Sequence, residues 1–258
     1  NWYNGHPDFA NDPDLTNFNW SKVHRVGIIG NGNVALDLAR VLLSNQIKEL
    51  WDSTDISPVA LECLRKAPIK EVKLIARRDF VHSKFTNKEL RELWELEKYG
   101  IYGSIDRNYF NSEMFDENNI KDRVFKRRVE MCTEYLKPFQ ERTKRNYKKY
   151  VPPSIDESKT KFWKLDYMKS PLKINSDQKG TIKSLTLCEN EITDDNRVIA
   201  LHNEKITYDM DLLITSLGYA GKALHEFSNL GIKFDRDHLS NIDGRVQEVD
   251  GTIFPKLY

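Results

Sequence analysis

The stretch VGIIGNGNVALDLARVLL, residues 26–43, decides the fold of this chain, because an apolar strand passes through a glycine turn into an apolar helix. The turn runs from Gly30 to Ala35 with the pattern G-x-G-x-x-A. In such a pattern the first glycine permits a tight turn, the second lets phosphate oxygens approach the backbone, and the small third residue lets helix and strand pack closely. The free N–H groups and positive dipole end of the helix also favour an anion.

The glycine pattern is a weak signal by itself, but here it lies between a predicted strand over 23–29 and a predicted helix reaching about residue 51. That context is typical of a dinucleotide-binding turn. The alternative is a strand-to-helix turn that uses glycine only for its geometry. The residues predicted to bind a pyrophosphate are Gly30, Asn31, Gly32, Asn33, Val34 and Ala35.

Alternating strand and helix patterns follow the turn. TDISPVALECLRKAP predicts a helix with Pro58 in its first turn, EVKLIA predicts a strand over 71–76, and FTNKELRELWELEKYG predicts a helix ending at Gly100. Residues 104–120 are predicted to form a loop. This alternation predicts a parallel sheet with right-handed crossovers.

A basic segment over 121–149 holds 11 Lys or Arg and 4 Asp or Glu, an excess of about seven positive charges by subtraction. Its apolar residues recur at helical spacing, which predicts one helix bent at Pro138. The members of this stripe are Phe125, Val129, Cys132, Leu136 and Phe139.

The last hundred residues change character. GTIKSLTLCENEI and RVIALHNEKITYDMDLLITSLGY have the alternation of antiparallel strands, and the second ends in DLLITSLGY, a predicted buried strand. We therefore predict an α/β fold, a Rossmann-like parallel sheet with flanking helices plus a small antiparallel β-meander. Residues 1–22 would form a connecting arm and 23–258 one domain, in which 23–150 bind the nucleotide and 151–258 supply the meander and the final sheet strand.

Composition narrows the function. The 258 residues carry a net charge of +1 with a mean hydropathy of −0.63, and no run approaches the roughly 18 apolar residues of a membrane span. The three cysteines form no C-x-x-C pair and the six histidines have no ligand-like spacing, so we expect neither a dithiol relay nor a metal site. The chain opens on NWYNGHPDFA without methionine, which suggests a fragment or an excised domain.

The residues after EVKLIA indicate which dinucleotide the turn would take. An Asp or Glu at this point usually bonds the ribose of NAD, whereas arginine suits the 2′-phosphate of NADP. Here the strand is followed by Arg77 and Arg78, and the first acid is Asp79. We predict NADP, the alternative being a solvated charge pair at a strand end.

Glu89 has two interpretations. The sequence TNKE fits a capping box with Thr86 as N-cap and Glu89 at the third helical position. The same helix starts soon after the two arginines, so its first turn could instead face a bound nucleotide. The pattern alone favours capping.

Taken together, GNGNVALDLARVLL, KLIARRDF, FTNKELREL and DLLITSLGY resemble the mitochondrial adrenodoxin reductase-type ferredoxin–NADP(+) reductases, in the right order over nearly the whole chain. Members are flavoproteins in which an NADP domain is inserted into an FAD domain. This sequence resembles the insert, a glutathione-reductase-like NAD(P)-binding domain. It lacks the glycine motif expected for FAD, and it ends at FPKLY, before a further FAD-contacting stretch.

The resemblance implies that NADPH lies on the glycine turn and that Arg77 and Arg78 hold its 2′-phosphate. It also places Glu89 near the nicotinamide end of NADP and Asp37 toward the flavin. From the residues alone, Asp37 is a first-turn acid favoured by the helix dipole.

In this family, hydride passes from NADPH to FAD and single electrons then pass to an acidic, adrenodoxin-like [2Fe–2S] ferredoxin. A basic face docks that partner, and the alternative for the basic segment is an ordinary solvated helix face. We expect a mitochondrial monomer without a transmembrane segment, located in the matrix or on the matrix face of the inner membrane. The candidate docking residues are Arg91, Arg123, Lys126, Arg127 and Arg128.

Two other functions compete with this one. A stand-alone NADP-binding module could sense or regulate without redox chemistry, since the flavin half is not in the sequence. A nucleic-acid binder could use the basic helix, but the chain has no aromatic stacking motif and no strongly basic pI.

Overall fold

The computed structural model of the chain describes residues 2–10, 12–115, 120–156, 158–235 and 238–258. They form two compact units, Asn1–Ser216 and Leu217–Tyr258. The division falls inside the predicted segment 151–258, and the predicted domain boundaries stay a prediction.

The strands of the first unit are β1 (Arg25–Ile29), β2 (Glu71–Ile75), β3 (Ile101–Ile105), β4 (Lys161–Asp166), β5 (Lys169–Ser176), β6 (Ile182–Ile192), β7 (Val198–Asp209) and β8 (Leu212–Thr215). Five of them form a parallel sheet at the centre of this unit, in the order β3-β4-β2-β1-β8. The predicted parallel α/β fold is therefore confirmed.

Two strands of the sheet were not predicted. β3 (Ile101–Ile105) follows directly after Gly100 and overlaps only the first two residues of the loop predicted over 104–120, and β4 is inserted between β2 and β3. Gly103 in β3 and Lys161 and Lys164 in β4 are weak strand formers. Both become strands because neighbouring backbones pair with them. The rest of the predicted loop includes 116–119, which lie outside the described residues.

Helices cover the sheet. They are α1 (Pro13–Thr16), α2 (Asn33–Leu43), α3 (Lys48–Trp51), α4 (Pro58–Arg65), α5 (Asn87–Trp94) and α6 (Arg123–Tyr135). α4 begins at Pro58 as predicted, with Ser57 as its N-cap. The helical turns after α5 end at Gly100, whose φ of +77° is the left-handed conformation expected of a terminating glycine.

The predicted helix to residue 51 is interrupted. α2 ends at Leu43, and the indole N–H of Trp51 donates to the Ser44 carbonyl at 3.0 Å. This bond gives the Ser44 carbonyl, at the end of α2, a hydrogen-bond donor and ties the end of α3 to it. Helical periodicity in the sequence does not reveal such an interruption.

The bend expected at Pro138 is instead the end of α6. The helix stops at Tyr135, and a short 3-10 turn, Phe139–Glu141, follows the proline. Proline lacks the N–H that would continue the helix and restricts the residue before it, so termination replaces bending.

Strands β5, β6 and β7 form the predicted antiparallel meander. A small core of apolar side chains joins it to one face of the central sheet, and this core contains Ile29, Ile75, Leu185, Leu187 and Met210. The final strand β8 pairs only with β1, and its side chains are half-buried or exposed rather than buried as expected. An edge strand has a neighbour on one side only, which explains the difference.

The larger core lies on the other face of the sheet and includes part of the predicted arm. Trp2 and Trp20 are buried and stack with ring centroids 5.5 Å apart. In the same core, Trp94 of α5 meets Trp163 of β4 edge to face at 4.5 Å. Gly103 of β3 is the register partner of Trp163.

The second unit contains one short helix and two short strand pairs. These are α7 (His225–Asn229), β9 (Phe234–Asp235) with β10 (His238–Leu239), and β11 (Asn241–Ile242) with β12 (Arg245–Val246). Among the residues that the structure describes, no helix combines the length and apolarity needed to cross a bilayer.

Gly103→Ala tests the tryptophan packing. A Cβ at this position would overlap the rings of Trp163 and Trp94, which belong to the closed core. We expect the free energy of unfolding to fall by about 1–3 kcal/mol, measured by urea denaturation. Ser104→Ala, on the same strand, is the control and should cost less than about 1 kcal/mol because it loses one weak hydrogen bond. Equal effects would contradict the packing argument.

Candidate functional site

The glycine turn lies where the carboxyl ends of three strands meet. The Gly30 N–H donates to the Ile75 carbonyl of β2 at 2.8 Å, and the Ser216 N–H, just after β8, donates to the Ile29 carbonyl at 2.8 Å. Gly30 has a φ of +121°, and a Cβ there would overlap the Ser216 carbonyl oxygen. β1 has β2 on one side and β8 on the other, so the turn opens at the sheet position where α/β proteins bind ligands.

Gly32 has a different role from Gly30. Its φ is −80°, which any residue can adopt, and a Cβ at this position would meet no atom within 4 Å. The space beside its backbone is therefore open at the start of α2. No side chain caps the helix, so its first N–H groups remain available to an anion. A dinucleotide pyrophosphate fits this arrangement, in which Ala35 is buried and Val34 is exposed.

The two asparagines of the turn are held by the segment 83–87. The Asn31 side-chain amide donates to the Ser83 hydroxyl at 3.2 Å, and the Thr86 N–H donates to Asn33 Oδ1 at 2.7 Å. The Ser83 hydroxyl also lies 3.0 Å from that of Tyr167. Burial, the largest cause, raises the pKa of Tyr167, so this phenol stays protonated. No local pattern predicts these bonds, which join residues more than 50 positions apart.

Arg77 and Arg78 follow β2 at the same edge of the sheet as the glycine turn. Arg77 is exposed, and its carbonyl accepts a hydrogen bond from the Asn190 amide at 2.8 Å. An Nη of Arg78 donates to the Asn196 carbonyl at 3.4 Å. The Arg78 Nε is buried and has no acceptor among the described residues.

Asp79, the first acid after β2, is engaged in its own turn. It accepts the backbone N–H of His82 at 3.1 Å, and the ring Nδ1 of His82 lies 2.6 Å from the same carboxylate oxygen. The other ring nitrogen lies 3.2 Å from Asn196 Oδ1, at the tip of the β6–β7 hairpin. The contact between His82 and Asn196 was not predicted. No spacing pattern in the sequence connects the arginine turn with a hairpin so far along the chain.

Thr86 is the N-cap of α5 as predicted, but the capping box is not formed. The Thr86 hydroxyl donates to the Glu89 carboxylate, and the Thr86 N–H is taken by Asn33 instead of Glu89. The tertiary contact has displaced the local one. Glu89 is half-buried in the first turn of α5, and its place near the nicotinamide stays a prediction.

Asp37 is not in the first turn of α2, so the interpretation from the helix dipole is wrong. The helix begins at Asn33, which places Asp37 fifth. Its carboxylate accepts hydrogen bonds from the Tyr3 hydroxyl at 2.7 Å and from Arg40 at 2.6 Å. Its proposed orientation toward a flavin stays a prediction.

The candidate docking residues separate into two groups. Arg91, Arg123 and Arg127 are exposed and Lys126 is half-buried. Arg128 is 8% exposed and donates into the protein, so its assignment to the docking set is wrong. Part of the basic excess is also offset by glutamates outside the segment, since Arg142 forms an ion pair with Glu97 and Lys149 with Glu95.

Two fungal proteins of known family are similar to this chain over its whole length. Over its whole length the chain is 65% identical to the probable mitochondrial NADPH:adrenodoxin oxidoreductase of Saccharomyces cerevisiae, of which it covers 52%. It is 31% identical over its whole length to the protein of that name from Schizosaccharomyces pombe, of which it covers 50%. The chain is homologous over its whole length to NADPH:adrenodoxin oxidoreductases. This confirms the family resemblance found in the sequence.

A solved structure supports the adrenodoxin oxidoreductase fold. Mycobacterium tuberculosis FprA in complex with NADPH aligns with 95% of this chain and 48% of its own, at a TM-score of 0.68 and 29% identity. No protein-family model matches the chain. The chain spans about half the length of the curated relatives it matches.

Gly32→Ala and Gly30→Ala separate ligand approach from backbone geometry. Since a Cβ at Gly32 enters open space, we expect the free energy of unfolding to fall by less than about 1 kcal/mol, the cost of a poorer N-cap residue, whereas dinucleotide binding should be clearly weaker. Gly30→Ala should instead unfold at lower temperature, because its φ is strained and its Cβ meets a backbone oxygen. Thermal unfolding and NADPH titration check both. Normal NADPH binding by a folded Gly32→Ala chain would remove the turn from the binding site.

Proposed function

We propose that this chain is the NADP(H)-binding domain of an adrenodoxin-type ferredoxin–NADP reductase. The observation that carries the proposal is the open backbone at Gly32, at the start of α2 and at the carboxyl end of β1. The name of the Mycobacterium tuberculosis structure, FprA in complex with NADPH, supports the choice of ligand.

Each part of the dinucleotide has candidate partners. The turn from Gly30 to Ala35 would hold the pyrophosphate through backbone N–H groups. Arg77 and Arg78 would hold the 2′-phosphate, because the Arg77 side chain is exposed to solvent and the Nε of Arg78 has no acceptor in the described part of the chain. Glu89, in the first turn of α5, would lie toward the nicotinamide.

When bound, NADPH supplies a hydride to FAD held by other segments of the reductase, and electrons then pass to a [2Fe–2S] ferredoxin. The residues of this chain bind and orient the dinucleotide, and without the flavin segments we expect the chain to be inactive. The name of the yeast relative supports a mitochondrial location, in the matrix or on the matrix face of the inner membrane. The monomeric state is part of the same proposal.

Four basic side chains of α5 and α6, three of them exposed and one half-buried, would steer the ferredoxin. We place the docking face on Arg91 of α5 and on Arg123, Lys126 and Arg127 of α6. An acidic partner is attracted by such a patch even though the whole chain is nearly neutral, because steering depends on local charge.

Replacing both Arg77 and Arg78 with Ala tests the cofactor. We expect NADPH affinity to fall at least about tenfold, through loss of charge-assisted bonds to the 2′-phosphate, while NADH affinity stays nearly unchanged. Fluorescence or calorimetric titration of the 258-residue chain measures both. Equal losses for the two dinucleotides would contradict the 2′-phosphate assignment. A wild-type chain that binds neither would overturn the function, including the alternative of a stand-alone NADP-binding regulatory module.

Charge reversal tests the docking face. Arg123→Glu with Arg127→Glu, in a reductase that includes the flavin segments, should slow ferredoxin reduction several-fold at low salt, and the difference should shrink as salt is added. Lys173→Glu with Lys205→Glu is the matched control, because these exposed lysines lie on the meander and the net charge changes equally. If both pairs slow the reaction equally, the patch has no specific role.

A further inference from the structure

We propose that Arg128 is a positioning residue for the dinucleotide turn. From inside the protein it fixes the segment 83–87, and this segment fixes the side chains of Asn31 and Asn33. The inference rests on the proposed function, since it assigns a residue that shapes the same binding site without touching the ligand.

The first step is the contact between α6 and the segment. The two Nη groups of Arg128 donate to the carbonyls of Ser83 at 3.1 Å and Phe85 at 2.9 Å, and its Nε donates to Asn87 Oδ1 at 3.3 Å. The guanidinium also lies over the Phe85 ring, 4.9 Å from its centroid. Asn87 returns a bond to α6, because its side-chain amide donates to the Val124 carbonyl at 2.9 Å. One side chain thus fixes three positions of a five-residue segment.

The second step leads from the segment to the glycine turn. Ser83 accepts the amide of Asn31 through its hydroxyl, and Thr86 donates its N–H to Asn33. Arg128 holds the carbonyl of Ser83 itself and that of Phe85, the residue before Thr86. Asn31 and Asn33 flank Gly32, whose backbone is the open surface of the turn. A shift of the segment therefore moves the two side chains on either side of that surface.

The chemistry of the contact requires arginine. Burial, the largest cause, lowers the pKa of Arg128 from its ordinary value, but a guanidinium stays charged at neutral pH. Among the described residues, no carboxylate lies within ion-pair distance of it. Its charge is met instead by carbonyl dipoles and a ring face. A lysine ammonium keeps the charge but cannot direct a planar fork at three divergent acceptors.

Arg142 provides a matched control for a purely structural role. It is also a buried arginine, 5% exposed, and it too donates to backbone carbonyls and lies over an aromatic ring. Its main partner, however, is Glu97, and its contacts involve neither the segment 83–87 nor the glycine turn. Replacing either arginine should destabilise the protein, whereas only Arg128 should alter the turn.

The first experiment is a titration of the folded chain with NADPH and with NADH. We expect Arg128→Lys and Arg128→Met to raise the dissociation constants for NADPH and NADH by about tenfold each. Both dinucleotides are affected because both place their pyrophosphate on the same turn. Arg142→Lys and Arg142→Met should leave both dissociation constants within about twofold of the wild type at a similar loss of stability. This pattern also differs from that of the variant in which Arg77 and Arg78 are replaced, which should lose affinity for NADPH while its affinity for NADH stays nearly unchanged.

A second measurement needs no ligand. The Thr86 amide is protected by Asn33 Oδ1, so its hydrogen exchange reports on the contact directly. Exchange at Thr86 should be faster in Arg128→Lys than in Arg142→Lys, even if Arg128→Met does not fold.

The outcomes separate the inference from the function on which it rests. A wild-type chain that binds neither dinucleotide overturns the proposed function, and the exchange rate at Thr86 then decides the positioning contact. A wild-type chain that binds NADPH, with Arg128→Lys unchanged in both affinity and Thr86 exchange, overturns the inference alone. Equal losses of affinity in the Arg128 and Arg142 variants also overturn it, because general destabilisation would then explain both.

Discussion

The close approach of two backbones at Gly30 is the constraint on which the rest of this site depends. The Ser216 carbonyl occupies the position that a Cβ of residue 30 would need, and the Gly30 N–H is bonded to β2. The ends of β1, β2 and β8 can therefore converge only if residue 30 has no side chain. This convergence places the start of α2 and the arginine turn after β2 at one edge of the sheet, which is where a dinucleotide with two charged groups needs them.

A second layer of contacts controls the same turn from the side. The pattern G-N-G-N would leave its asparagines free, yet both are bonded to the segment 83–87. Thr86 shows the consequence for local structure, because its N–H donates to Asn33 and is therefore not bonded to Glu89, as a capping box requires. Tertiary hydrogen bonds have replaced a local cap, which connects the start of α5 to the start of α2.

Neighbouring arginines of α6 have opposite surroundings. Arg127 is exposed and belongs to the proposed docking face, whereas Arg128 is buried and donates to the segment beside the nucleotide turn. The helical rotation of about 100° per residue is enough to separate these roles. The basic excess of the segment 121–149 is correspondingly smaller at the surface than in the sequence, because one arginine is buried here and Arg142 is paired with Glu97.

The sequence by itself determined the glycine turn, the parallel α/β class, the meander and the family, since each depends on local patterns or on similarity to known chains. It also placed Arg77 and Arg78 after a strand, which the structure confirms. Only the tertiary structure decided the insertion of β4 between β2 and β3, the exposed edge at β8 and the inward direction of Arg128. These features arise from backbone pairing and hydrogen bonds between residues far apart in the chain. Composition and periodicity record which residues prefer burial, but not which distant partner satisfies a buried donor.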